Sequence, residues 1–161
     1  MPSLYPAPTE QHIEAFLSGL VATPAHVTRL ASADPEREPT GVMVEYVTED
    51  STLAAIAFAD HDVVNFVGGA VGSVEAAAVQ EKNSGSTLHD AAVESFRQVA
   101  VGLEATLNGD YTPTVKLATV HQLPGELSEE IKQLWRKPRG KRAYRLSVDD
   151  YGAGTVILYL S

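Results

Sequence analysis

Apolar positions recur along this chain with two periods, and the switches between them mark out its elements. After Thr9, whose hydroxyl can cap a helix, Ile13, Phe16, Leu17 and Leu20 fall three and four residues apart, which predicts a helix ending near Leu20. VMVEYV (42–47) alternates as a half-buried strand does, and TEDS turns it into LAAIAFA (53–59), a hairpin. Asp60 or Asp62 then caps a long helix from about Val63 to Gln80, and EKNSGST, with Gly85, turns the chain back into an antiparallel second helix. In that helix, HDAAVESFRQVAVGLEATLNG (89–109), Val93, Phe96, Ala100, Leu103 and Leu107 form a buried seam. Glu94, Arg97, Val101 and Glu104 form the stripe at the seam's edge. A strand TVKLATV (114–120), a helix from Ser128 to about Trp135, and two strands, AYRLSV and TVILYL, joined by the turn DDYGAG (149–154), follow.

These elements predict an α+β fold, a largely antiparallel sheet covered by a long antiparallel helix pair. At 161 residues and 44% hydrophobic, the chain suits one domain spanning 1–161, with the proline-punctuated residues 1–8 loose. ASADPEREPT (31–40) is expected as a surface connection.

Charge changes the picture of partners. Residues 1–110 hold 16 acidic against 4 basic side chains and residues 111–161 hold 5 against 8, so a net charge of −9 is unevenly distributed. Net acidity repels phosphate backbones and anionic lipids, so neither nucleic acid nor membrane is expected as a partner. RKPRGKRAYR (136–145) carries six of the twelve cations and reads as a solvated turn, with an acidic-partner or phosphate dock as the other reading. No cysteine is present, which excludes disulfides, thiolate metal sites and a cysteine nucleophile. With no signal-like start and no long apolar run, a soluble cytoplasmic protein is expected.

Candidate chemistry is sparse. His12, His26, His61, His89 and His121 are scattered and make no ligand pair on one helix face, so no metal or other cofactor is expected. No GxSxG elbow occurs. VVNFVGGAVGSVEAAAV (63–79) approaches GxGxxG with Gly69 and Gly72, but Val67 stands where the turn-making glycine belongs. Gly68, Gly69 and Gly72 then serve close packing within a continuous helix, or else a small-ligand or nucleotide pocket forms around them.

The order of these elements resembles the CheC/CheX/FliY superfamily of bacterial chemotaxis phosphatases. The likeness runs from EQHIEAFLSGL through TGVMVEYVTEDSTLAAIAFA and the helix pair to the strand TVILYL. DAAVESFRQVAVGLEATL (90–107) is similar to the family helix that carries a Glu-x-x-Asn signature. The resemblance implies that this helix faces the phosphorylated aspartate of a CheY-like receiver domain, which brings its own Mg²⁺. The family Asn holds water in line with phosphorus, and the Glu helps dock the receiver. Aligned so, Glu94 stands on the Glu and Arg97 on the Asn, a departure at the water-positioning residue. HDVVNFVGGAVGSVEAAAVQ (61–80) offers no second copy of the signature, so the single-motif, CheX-like branch is nearer.

The expected site is therefore Glu94 and Arg97 at the catalytic positions, with Gln98, Val101 and Glu104 contacting a partner. Guanidinium carries donors only and cannot orient water as an amide does. The expected function is binding of a phosphorylated receiver domain or another protein partner in signalling, with little or no aspartyl-phosphate hydrolysis. One alternative is an active phosphatase in which Asn65 or Gln98 positions the water; another is the ligand pocket at Gly68–Gly72. The plainest reading makes Glu94 and Arg97 an exposed helix pair contributing about 0.2–0.5 kcal/mol. A homodimer is possible if the apolar VILYL lies on an open sheet edge, whereas a central position explains its hydrophobicity as well.

Overall fold

The computed structural model describes residues 7–32, 40–108 and 114–161. In chain order these form α1 (Glu10–Leu20), β1 (Ala25–Leu30), β2 (Gly41–Thr48), β3 (Leu53–Asp60), α2 (His61–Val71), α3 (Ala76–Ser84), α4 (Asp90–Leu107), β4 (Val115–Leu123), α5 (Glu129–Arg136), β5 (Gly140–Val148) and β6 (Gly152–Leu160). The strands make one sheet in the order β1-β5-β6-β3-β2-β4, and every pairing is antiparallel.

The helix starts follow local chemistry. Thr9 Oγ1 accepts the His12 amide at 3.1 Å, Ser128 Oγ accepts that of Ile131 at 3.3 Å, and Asp60 Oδ1 accepts that of Val63 at 2.8 Å. Of the two candidate caps for α2, Asp60 is the one used.

Period-two alternation divides the sheet between two cores. Val42, Val44 and Tyr46 of β2 and Val156, Leu158 and Leu160 of β6 pack with Ile13, Val67, Phe96 and Leu103 of the helices. Met43, Ile56, Phe58, Ile157 and Tyr159 face the other way, where Ile131, Leu134 and Trp135 of α5 pack against them. The Trp135 ring stacks on Phe58 with centroids 6.3 Å apart. Strands β3 and β6 are thus buried on both faces, which is why LAAIAFA and TVILYL read as nearly continuous apolar runs. Because β6 lies between β5 and β3, its hydrophobicity needs no dimer partner.

The structure corrects the expected elements in several places. AHVTRL (25–30) is a sixth strand at a sheet edge, with Ala25 and Val27 buried. The helix expected to run unbroken to Gln80 ends at Val71. Gly72 and Val74 donate back to the carbonyls of Gly68 and Gly69, Ser73 has φ +55°, and α3 begins afresh at Ala76. The break is held from a distance, since the Tyr151 hydroxyl donates to the Val74 carbonyl at 2.6 Å. Strands β5 and β6 also extend toward each other, so that the turn shrinks to residues 149–151, with Asp150 at φ +70°.

Two expectations fall partly outside the described residues: the loose start, of which 1–6 are outside, and the connection 31–40, of which 33–39 are outside. Ala7 and Pro8, placed in the loose stretch, are packed, and the Pro8 carbonyl accepts the Tyr144 hydroxyl at 2.5 Å.

Candidate functional site on the outer face of α4

α4 is fixed from below by its seam. Ala92, Phe96, Val99, Ala100, Leu103 and Leu107 are buried against the sheet and α2, and the Tyr46 hydroxyl of β2 donates to the Ala100 carbonyl at 2.7 Å. Burial, with a smaller contribution from the charge of Glu104, pushes the Tyr46 phenol well above its usual range, so this donor stays protonated. With that face committed, positions 94, 97, 98 and 101 turn outward together at three- and four-residue steps.

All four are exposed, and Glu104, a turn further on, is half-buried. Glu94, Arg97, Gln98 and Val101 line one groove of about 650 Å³ whose other wall is Phe16 and Leu20 of α1. Phe16 and Leu20 belong to the apolar face expected of α1, but both are only half-buried and form part of this surface. Among the described residues no ion pair joins Glu94 to Arg97. Arg97 lines the groove and has no ion-pair partner among the described residues.

Asn65 and the Gly68–Gly72 segment lie away from this groove. Asn65 is 0% exposed, its Nδ2 donates to Asn83 Oδ1 at 3.1 Å and to the Thr87 carbonyl at 2.9 Å, and its Oδ1 accepts the His89 amide at 2.8 Å. With those bonds made inside the protein, Asn65 is not a water-positioning amide at the α4 surface. The Gly68–Gly72 segment is likewise no phosphate loop, because Gly68 and Gly69 lie within α2 and Gly72 is its C-cap. A Cβ on Gly68 would lie 2.3 Å from the Ala92 carbonyl oxygen, one on Gly69 2.7 Å from Val79 Cγ1, and one on Gly72 2.3 Å from Ser95 Oγ. The packing reading of these glycines holds, and the continuous helix assumed with it does not. Among the described residues no group of three or more His, Asp or Glu is arranged to hold a metal, and no helix is long and apolar enough to cross a membrane.

No protein-family model matches this sequence, and no curated protein matches it. Solved structures do match its fold. A chain of the FliM–SpeE complex from H. pylori superposes with a TM-score of 0.61 at 7% identity, over 94% of this chain and 80% of its own. FliY from Thermotoga maritima gives 0.57 at 11% identity, over 93% and 82%. A chain of the CheX–CheY–BeF₃–Mg²⁺ complex from Borrelia burgdorferi gives 0.51 at 10% identity, over 93% of each. The chain has a CheC/CheX/FliY-type fold. At these identities the likeness is one of architecture, so the chemistry of the α4 face has to be argued from its own side chains.

Within this CheC/CheX/FliY-type frame the outer face of α4 presents a carboxylate, a guanidinium and an amide within about one helical turn, beside the apolar Val101. The guanidinium can hold an oxyanion through two parallel hydrogen bonds, and the amide of Gln98 can both donate and accept.

Proposed function

We propose that this chain is a CheX-like docking domain that binds a phosphorylated receiver domain, or another protein partner in signalling, with little or no aspartyl-phosphate phosphatase activity. The observation that carries this reading is the exposure of Glu94, Arg97, Gln98 and Val101 on one groove, with no ion pair between Glu94 and Arg97 among the described residues. A fold neighbour crystallised with CheY, BeF₃ and Mg²⁺ supports it. In this reading Arg97 clamps the phosphoryl oxygens of the receiver, Glu94 contacts the receiver surface, and Gln98, Val101 and Glu104 extend the contact along α4. Hydrolysis stays slow because Arg97 offers attacking water no acceptor.

The test is to mix the protein with phosphorylated CheY-like receiver domains from its native host and follow both complex formation and phosphate release. A complex without faster release is expected, Glu94→Ala weakens it, and Arg97→Asn speeds release. If no receiver forms a complex, the reading fails. A second reading has one observation in its favour, the exposed amide of Gln98 on the same groove. Were Gln98 to orient the water, the wild-type protein would accelerate phosphate release and Gln98→Ala would abolish the effect.

A further inference from the structure

α1 and α4 approach each other at a point where α4 lacks a side chain. A Cβ built on Gly102 would lie 2.6 Å from both Cδ2 and Cε2 of Phe16, so the Phe16 ring lies directly against the backbone of α4. That contact shapes one end of the groove. Phe16 and Leu20 form its wall, both half-buried, and Val101 on its rim is 48% exposed, the one exposed large apolar residue among those described. A glycine inside a helix costs about 1 kcal/mol against alanine, which alanine at 102 would recover if the space were free. Here the ring of Phe16 occupies it.

The groove therefore has two chemically different ends. Arg97, with Glu94 beside it, marks the charged end, and Val101 follows Arg97 by one helical turn, about 6 Å along the axis. A purely electrostatic contact at Arg97 would leave Val101 and the half-buried Phe16 and Leu20 in water, whereas a partner side chain seated among them would remove that apolar surface from solvent.

We infer that Phe16, Leu20 and Val101, seated by Gly102, form an anchor pocket for one aliphatic or aromatic side chain of the receiver domain, presented about one helical turn from the anionic group held by Arg97. The inference rests on the docking reading above and adds to it which partner is accepted. Arg97 reads the charge, and the pocket reads the neighbouring apolar side chain. Receivers with a polar residue at that place bind more weakly, because its desolvation against Phe16, Leu20 and Val101 is offset only by what Ser95 and Gln98 at the groove's edge can supply.

Gly102→Ala is an informative variant because the atoms it displaces belong to a half-buried ring that can swing aside, and the substitution also favours the helix. The protein is expected to stay folded with a Tm close to that of wild type, the gain in helix propensity offsetting the packing lost as Phe16 leaves its seat. The experiment measures Kd for a CheY-like receiver domain from the native host, with and without BeF₃⁻ and Mg²⁺, for wild type, Phe16→Ala, Gly102→Ala and Arg97→Ala. Phe16→Ala and Gly102→Ala are expected to weaken binding about tenfold or more in both states of the receiver. Arg97→Ala removes mainly the preference for the BeF₃⁻-bound state. If both pocket variants are folded and bind as wild type does, the pocket is refuted while the docking reading stands. If Phe16→Ala fails to fold, Gly102→Ala alone decides, by the same criterion. If wild type binds no receiver, the docking reading falls and the pocket with it.

Discussion

Asn65 Oδ1 accepts the amide hydrogen of His89 at 2.8 Å, so the start of α4 is set by a fully buried side chain of α2. The same side chain reaches Asn83 in α3 and the Thr87 carbonyl in the connection. One amide thus ties α2 to α3 and to the start of α4. Replacing it with alanine leaves the His89 N–H and the Thr87 carbonyl without this partner. Asn65→Ala is expected to cost about 2–4 kcal/mol in urea unfolding. A loss under about 1 kcal/mol would show that water substitutes for the amide.

Gly68 and Gly19 make a matched pair. At Gly68 an added Cβ meets the carbonyl oxygen of Ala92 at 2.3 Å and its carbon at 3.0 Å, whereas at Gly19 it meets nothing within 4 Å. Backbone in α4 cannot swing away as the ring of Phe16 can. Gly68→Ala is therefore expected to destabilise by about 1–3 kcal/mol despite its better helix propensity, and Gly19→Ala to stabilise by about 0.5–1 kcal/mol. Equal effects at the two positions in thermal melts would mean that α2 and α4 have room to part.

These contacts show where the sequence is legible. Most of the α4 seam could be read from its spacing, since helix period and burial coincide at Phe96, Ala100, Leu103 and Leu107, whereas Val93 is only half-buried and Ala92 and Val99 are buried beside the seam. Strand β6 read as apolar throughout because both of its faces are covered, although its central place could not be chosen over an edge. What stayed hidden depends on distant partners. The break after Val71 involves Tyr151, 77 residues from the carbonyl it holds. Strand β1 is only six residues long, with its outer three mixed in polarity, and it is defined by pairing with β5 far along the chain. At the site, the outward stripe of α4 was readable from periodicity, but the wall formed by Phe16 and Leu20 required the packing of α1 against α4.

Edge strand β1 is shielded in a way that can be measured. The Val27 amide donates to Glu14 Oε1 of α1 at 3.0 Å, so a carboxylate takes a donor that an edge strand would otherwise offer to another chain. Glu14→Ala is expected to lose about 0.5–1.5 kcal/mol and to speed hydrogen exchange at Val27 specifically. Unchanged protection at Val27 would assign its slow exchange to burial alone.

Asp60 gives stability a pH dependence whose sign is opposite to that of an ion-paired carboxylate. Its Oδ1 accepts the Val63 amide and its Oδ2 the Thr155 amide at 3.1 Å, joining α2 to β6. Burial nevertheless outweighs these bonds and raises its pKa above the ordinary 3.8. A raised acid binds its proton more tightly in the folded state than in the unfolded chain. Its contribution is full below the unfolded value and is lost as pH rises through the folded one. The stability of wild type relative to Asp60→Asn should therefore fall as pH climbs from 3.8 through that raised value. Asparagine keeps an acceptor for Val63 but not a second one for Thr155, which adds an offset without a slope. Urea unfolding of both proteins across a pH series separates the two: a difference that stays level, or grows with pH, would mean that the hydrogen bonds to Val63 and Thr155 outweigh burial.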